Sequence, residues 1–288
     1  MNRINLMPYD SFSNKKLEAF EQKETSLSDI LHTDAYFHFS SGKEIIHHLM
    51  NKLGLTRKDE VYISTSSDST FVSSCVTSTI FNYCKPSRVI TENTKALFAI
   101  HEFGYPNKEI EALVEISKEK NIPLIEDTAH TLNSWHKGKR LGNFGDVSLI
   151  SLPKSFPVIS GGVLVTNNLS YYPTNINENE KIKLEINRWI KYLDSFTAKK
   201  RFIVEKYQQE LEKYKVLYAD NDKTNPFVYG IKHPNSDKLN QFLEKKEIQV
   251  GRTYVDSNVL LPVNPFMSIE DVHYCTDLIT KYVEYDKS

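Results

Sequence analysis

The feature that most constrains the fold is a regular alternation of helix-like and strand-like segments between residues 42 and 165. GKEIIHHLMNKLGL carries apolar residues at helical spacing, and the short apolar run DEVYIST follows it directly. Further along, the helical NKEIEALVEISKEKN precedes the apolar runs IPLIED, VSLISL and GGVLVTN. This alternation predicts an α/β three-layer sandwich with a mainly parallel sheet. Such a sheet binds ligands at the carboxyl ends of its strands.

Local signals place the remaining elements of this part. Ser40 and Ser41 can cap the first helix, and Asn107 is the expected cap of the helix in NKEIEALVEISKEKN. We also expect a helix within TFVSSCVTSTIFNYC, strands at SRVI and KALFAIHEF, and a β-hairpin-type loop at SWHKGKRLG.

The character of the sequence changes after Asn168, where LSYYPTNINENEK is polar and rich in turn-forming residues. An amphipathic helix, FTAKKRFIVEKYQQELEKY, comes next, and the rest reads as strand, helix, strand and helix. We therefore predict a large α/β domain over residues 1–190 and a small C-terminal α+β domain over residues 191–288.

Composition narrows the class of protein. The chain has 288 residues and a formal net charge of -1, without a basic tract that would attract nucleic acid or an anionic membrane. We see no signal-peptide pattern and no apolar run near the roughly 20 residues that span a bilayer. The three cysteines lack metal-ligand spacing. We expect a cytoplasmic protein without a metal site.

Two charged residues stand in unusual surroundings. Asp127 ends the buried strand IPLIED, and Lys154 lies among prolines and small residues in SLPKSFPVISGG. An acid at a strand end and a lysine after the following strands form an arrangement that pyridoxal phosphate enzymes need. The lysine amine forms a Schiff base with the cofactor aldehyde, and the carboxylate pairs with the pyridine nitrogen. The phosphate sits on backbone N–H groups at a helix N-terminus, for which Gly42 is the candidate.

At this point the chain resembles the DegT-type sugar aminotransferases. The resemblance rests on EDTAH, on GNFGD and on a Gly-Gly pair that begins seven residues after Lys154, and it is strongest from about Phe39 to Asn168. These enzymes depend on pyridoxal phosphate, have the aspartate aminotransferase fold, and act mostly on keto sugars linked to nucleotides. The resemblance implies that glutamate donates the amino group and that the product feeds glycan precursor synthesis.

The resemblance also implies individual roles. Lys154 would be the Schiff-base lysine, Asp127 the partner of the pyridinium, and His130 a neighbour of the cofactor's phenolic oxygen. The ring of Phe71 would stack on the pyridine. Asn187 would reach the phosphate in the partner subunit of a homodimer. The residues expected around the chain's own cofactor phosphate are Gly42, Lys43 and Ser151.

Departures from the family pattern leave alternatives open. Lys43 replaces the usual threonine, and the step from Ser151 to Lys154 is shorter than usual. A shorter loop displaces the amine by several Å, since each extended residue spans roughly 3.3 Å. The alternative is therefore a catalytically inactive relative that acts as a binding or assembly subunit. A further alternative is sugar dehydration, but related folds achieve that by replacing the lysine with histidine.

Overall fold

The computed structural model describes residues 3–67, 72–173, 179–217, 223–251 and 257–286. The strands are β1 (Tyr36–Phe39), β2 (Glu60–Thr65), β3 (Lys85–Ser87), β4 (Thr94–Ile100), β5 (Leu124–Asp127), β6 (Trp135–His136), β7 (Lys139–Arg140), β8 (Val147–Ser151), β9 (Gly162–Val165), β10 (Val228–Lys232) and β11 (Asn258–Pro262). The helices are α1 (Pro8–Ser11), α2 (Asn14–Leu17), α3 (Leu27–Leu31), α4 (Gly42–Leu53), α5 (Ser74–Phe81), α6 (Ile110–Lys120), α7 (Leu152–Ser155), α8 (Glu180–Trp189), α9 (Leu193–Glu210), α10 (Ser236–Lys245) and α11 (Ile269–Asp286).

A seven-stranded sheet organises the first part of the chain, in the order β1-β9-β8-β5-β4-β2-β3. Strands β3, β2, β4, β5 and β8 are parallel, and β9 runs antiparallel to both of its neighbours. The predicted α/β class with a mainly parallel sheet is therefore confirmed. Because the parallel strands end at the same edge, the residues after β2, β4, β5 and β8 meet there.

Helices cover both faces of the sheet, as the alternation along β4 shows. Phe98 packs in one apolar cluster with Ile45 and Ile80, which belong to α4 and α5. Leu97 packs in another with Ile110, which belongs to α6. Successive side chains of a strand point to opposite faces, so β4 contributes to both cores. The sheet is the middle of three layers.

Helix α4 begins as the sequence predicts. The Ser41 side chain accepts a hydrogen bond from the Glu44 N–H at 3.2 Å, and Gly54 ends the helix in the left-handed conformation. The predicted cap of α6 is wrong: the helix begins at Ile110 and Glu109 precedes it.

Asn107 has a different task from capping α6. Its side-chain oxygen accepts from the Glu109 N–H at 2.9 Å, and its amide nitrogen donates to the Ser64 hydroxyl at 3.0 Å. The asparagine therefore links the turn before α6 to β2. The strand predicted at SRVI is also displaced, because β3 ends at Ser87, where its pairing with β2 stops.

The C-terminal part follows the predicted order of strand, helix, strand and helix, as β10, α10, β11 and α11. Strands β10 and β11 form an antiparallel pair. Their apolar face joins residues of α9, α10 and α11 in one cluster, which also takes in Ile4 from the start of the chain. The division at residue 190 remains a prediction. Among the described residues, no helix has both the length and the apolar character needed to cross a membrane.

Candidate active site

Asp127 lies at the carboxyl end of β5, between Ile100 of β4 and Leu149 of β8. It is 6% exposed, and its Oδ1 accepts a hydrogen bond from the Ala129 N–H at 2.9 Å. Burial raises the pKa of this carboxyl to about 6, against the effect of that hydrogen bond. The residue therefore titrates near neutrality at a strand end, which is common for functional carboxyls.

Lys154 follows β8 on the single helical turn α7, which has a proline in its first turn. Its Nζ lies 3.7 Å from the Met7 sulfur and 5.4 Å from the centre of the Phe227 ring. Burial lowers the pKa of the amine, while the nearby Cys75 and Asp127 act in the opposite direction. No carboxylate of the described residues pairs directly with it.

Two phenyl rings stack on the His130 imidazole. The Phe103 ring lies at a centroid distance of 5.4 Å and an interplanar angle of 21°, and the Phe227 ring at 4.7 Å and 26°. The Phe103 N–H donates to Nδ1 at 3.4 Å, which places the proton of the neutral ring on Nε2. Burial is the main cause that lowers the pKa of His130 well below its ordinary value, and the charges of Lys154 and Lys200 add to it. His130 is thus a neutral donor at neutral pH.

The start of α4 packs closely against the ends of β8 and β9. A Cβ on Gly42 would lie 3.7 Å from the Ser151 side chain, so these two residues are neighbours. A Cβ on Gly162 would lie 2.7 Å from the Ser41 carbonyl carbon and 2.9 Å from the Gly42 nitrogen. Glycine is required at position 162 because the helix N-terminus lies against its backbone.

Three further residues expected at the site are either exposed or outside the described residues. Lys43 follows Gly42 in the first turn of α4 and is exposed. Asn187 is exposed on α8, where Leu184 is 66% exposed one turn earlier. Phe71 lies outside the described residues.

A buried carboxylate behind Asp127 explains two of the sequence motifs. Glu126 accepts hydrogen bonds from the backbone N–H groups of Gly142, Phe144 and Gly145 at 2.8, 2.6 and 2.6 Å. His101 Nε2 is a fourth partner at 3.1 Å. The GNFGD turn thus wraps the acid that precedes Asp127, and it fixes the end of β5.

Sequence reasoning missed three residues around the lysine amine and the imidazole: Met7, Phe103 and Phe227. Phe103 adopts a φ of 55°, a conformation that non-glycine residues seldom adopt, and this feature is visible only in the structure. Met7 and Phe227 reach the site only through tertiary contact with segments that are remote in sequence.

The donor set fits pyridoxal phosphate. A partly buried amine and a buried carboxyl influence each other electrostatically without a direct ion pair, as two groups on opposite sides of a pyridine ring would. The N-terminus of α4, next to the bare Cα of Gly42 and the hydroxyl of Ser151, supplies backbone N–H groups suited to a phosphate.

The fold defines the class first. An aminotransferase, TlmJ from Streptoalloteichus hindustanus, superimposes with a TM-score of 0.79 at 16% identity, over 99% of this chain and 100% of that one. The ntda protein of Bacillus subtilis with bound cofactor PMP superimposes with a TM-score of 0.77 at 16% identity, over 99% and 86% of the two chains. The chain has the fold of pyridoxal phosphate-dependent aminotransferases.

The sequence then defines the family. Residues 11–173 match the model of the DegT/DnrJ/EryC1/StrS aminotransferase family, and the chain belongs to this family. A GDP-perosamine synthase of Escherichia coli O157:H7 is 31% identical over 148 residues, or 46% of this chain and 40% of that protein. A GDP-perosamine synthase of Vibrio cholerae is 30% identical over 174 residues, or 55% and 46%. The matched part is thus less than half of either curated relative.

Proposed function

We propose that the protein is a pyridoxal phosphate-dependent aminotransferase that transfers an amino group from glutamate to a nucleotide-linked keto sugar, as a cytoplasmic step in glycan precursor synthesis. The observation that carries the proposal is the meeting of Asp127, His130 and Lys154 at one edge of the sheet, beside the N-terminus of α4. The family membership and the GDP-perosamine synthases support the substrate class.

Pyridoxal phosphate, when bound, supplies an aldehyde that takes up the amino group and a ring that accepts an electron pair. Lys154 would bind the aldehyde through Nζ. Because burial lowers the pKa of this amine, a larger fraction is unprotonated than for a surface lysine. When it is not bound to the aldehyde, Nζ would be the base that accepts and returns the proton at the substrate carbon.

The other residues would orient the cofactor. The carboxylate of Asp127 would accept a hydrogen bond from the ring nitrogen, and it is ionised above its pKa of about 6. His130 would donate from Nε2 to the phenolic oxygen. Phe71 would stack on the pyridine face.

The phosphate would bind at the start of α4, where Gly42 and Ser151 are neighbours. Lys43 would add a positive charge in place of the usual hydroxyl.

We propose a homodimer in which Asn187 reaches the phosphate of the partner subunit. Asn187 and Leu184 lie three residues apart on α8 and are both exposed, so they share an outward face. Introducing a charge with Leu184→Glu should shift the mass in light scattering from dimer to monomer. If the wild type is a monomer in solution, the proposed homodimer and the proposed role of Asn187 are both refuted.

Two half-reactions test the proposed function. Protein loaded with pyridoxal phosphate should convert glutamate to 2-oxoglutarate once, and turnover should then require an added nucleotide-linked keto sugar. Bound cofactor without release of 2-oxoglutarate would favour the inactive binding subunit. That alternative is motivated by the short Ser151–Lys154 step and by an amine covered by Met7 and Phe227.

A further inference from the structure

The ring of Phe227 contacts two groups of the candidate site at once. It stacks on the His130 imidazole with a centroid distance of 4.7 Å, and the Lys154 Nζ lies 5.4 Å from the same centroid. Phe227 is 2% exposed and belongs to a small apolar cluster with Tyr105, Val228 and Leu260. A single side chain from the C-terminal part therefore touches both the imidazole and the amine.

The imidazole is held by two stacked rings and at one nitrogen. Phe103 also stacks on it, with a centroid distance of 5.4 Å, and the Phe103 backbone N–H donates to Nδ1. With Nδ1 occupied as an acceptor, the neutral ring has one N–H, on Nε2. The two stacked rings fix the plane of the imidazole, and the hydrogen bond at Nδ1 selects one of its two flips, so together they fix the direction of the Nε2 donor.

The segment Thr224–Phe227 is itself anchored to two loops and to α9. The Asn225 N–H donates to the Ser134 hydroxyl at 2.8 Å, and its side-chain amide donates to the Leu132 carbonyl at 2.6 Å. The Phe227 N–H donates to the Phe103 carbonyl at 2.7 Å. The backbone beneath the Phe227 ring is therefore tied to the loops that carry His130 and Phe103.

Helix α9 completes the anchor. Lys200 donates from Nζ to the Asn225 Oδ1 at 2.8 Å, and Arg201 donates from Nε to the Thr224 carbonyl at 2.6 Å. A Cβ on Gly104 would collide with the Asn225 carbonyl oxygen, so the two backbones lie in close contact. Lys200 is buried, and burial lowers the pKa of its amine to about 7.

We propose that Phe227 is a positioning residue of the site, whose ring fixes the plane of the His130 imidazole and covers the Lys154 amine. The C-terminal part thus completes the candidate site from outside the matched residues 11–173. This inference rests on the proposed function, in which Nε2 of His130 and Nζ of Lys154 face the cofactor.

The test uses the full chain without cofactor and compares two buried phenylalanines. Phe227→Leu removes the ring at the site. Phe266→Leu removes a ring that is 3% exposed and has aromatic neighbours of its own, Phe12, Phe20 and Phe196. Nuclear magnetic resonance of labelled histidine gives the tautomer and the pKa of His130, with His130→Gln assigning the signal.

We expect similar losses of thermal stability in the two variants and different titrations. In Phe227→Leu the pKa of His130 should rise by about one unit as water reaches the ring, and the Nε2–H tautomer should lose its dominance. Phe266→Leu should match the wild type in both. Phe227→Met, which fills the volume more closely, takes the place of Phe227→Leu if that variant does not fold.

An unchanged tautomer and pKa in the Phe227 variant would overturn the inference. The proposed function is tested separately, by cofactor binding to the wild type. A wild type that binds no pyridoxal phosphate would refute the function, whereas a wild type that binds it with an unaltered His130 in the variant would refute only the positioning role.

Discussion

The edge of the large sheet and the core of the C-terminal part bury titratable groups in opposite ways. In the C-terminal core, burial raises the pKa of Tyr229 and Cys275 to about 12, so both stay neutral at physiological pH. At the sheet edge, burial raises the pKa of Asp127 to about 6 and lowers that of Lys154. Burial thus moves the pKa values of Tyr229 and Cys275 away from neutrality, and it moves those of Asp127 and Lys154 towards neutrality, which favours proton transfer at the sheet edge.

The two regions should differ most in how the loss of one side chain affects cofactor binding, turnover and stability. Lys154→Ala should abolish covalent cofactor binding and lower turnover by roughly 10³-fold or more, because the base is removed, with little change in unfolding temperature. Ile279→Ala in the C-terminal core should cost about 2–5 kcal/mol of stability and leave cofactor binding intact at low temperature. Absorption spectra and calorimetry measure the two effects. If Lys154→Ala retains turnover, the sheet edge does not differ from the C-terminal core in the way that we propose.

Asp127→Asn should stabilise the cofactor-free protein while impairing the site. A carboxyl whose folded pKa is raised contributes stability below its unfolded pKa and loses it as pH rises through the folded value. The wild type should therefore weaken between about pH 4 and 6, and the variant should be more stable above pH 6 by up to about 3 kcal/mol.

A partly exposed aspartate provides the control for Asp127. Hydrogen bonds from Thr56 lower the pKa of Asp59, so its contribution is present at neutral pH and lost as pH falls. Asp59→Asn should thus reduce stability at pH 7. Urea unfolding at several pH values measures both variants, and a destabilised Asp127→Asn at pH 8 would contradict the burial argument.

Replacing one glycine in each region with alanine should affect cofactor affinity differently. In Gly162→Ala the new methyl meets backbone atoms of Ser41 and Gly42, and the displaced start of α4 should weaken cofactor affinity by about tenfold. In Gly230→Ala the methyl meets the end of the flexible Leu217 side chain, so the affinity should not change. Titration with pyridoxal phosphate followed by absorbance measures both. Equal affinities in the two variants would exclude α4 as the phosphate site.

The smallest expected effect concerns the thiols. Cys75 is exposed and lies near Lys154, whereas Cys84 and Cys275 are buried with pKa values raised to about 11 and 12. A thiol reagent should therefore label Cys75 first, and cofactor bound at the neighbouring Lys154 should slow that labelling about two- to threefold. Mass spectrometry of the labelled peptides gives the order, and faster labelling of Cys275 would contradict the packing of the C-terminal core.

How much the sequence predicted depends on how local each signal is. The helix and strand periods between residues 42 and 165 are local, and so are the strand end at Asp127 and the apolar setting of Lys154. Helix α8 escaped prediction because its glutamates and lysines continue the polar composition of the preceding segment. Strand β1 escaped because it has only four residues.

The contacts around the amine could not be predicted, because they join distant segments. Met7 is 147 residues from Lys154 in sequence. Phe227 lies in NPFVYG, which looks like an ordinary strand entry, and only the folded chain places its ring against His130. Hydrophobic pattern identifies a residue as buried, but it does not identify which residues are its neighbours.

Chemical trapping can show whether Lys154 is the residue that carries the cofactor. The protein is mixed with pyridoxal phosphate, reduced with borohydride, digested and mapped by mass spectrometry, next to Lys154→Ala. We expect the reduced cofactor on the peptide that contains Lys154, and no such adduct in the variant. An adduct spread over surface lysines, or unchanged in the variant, would contradict it.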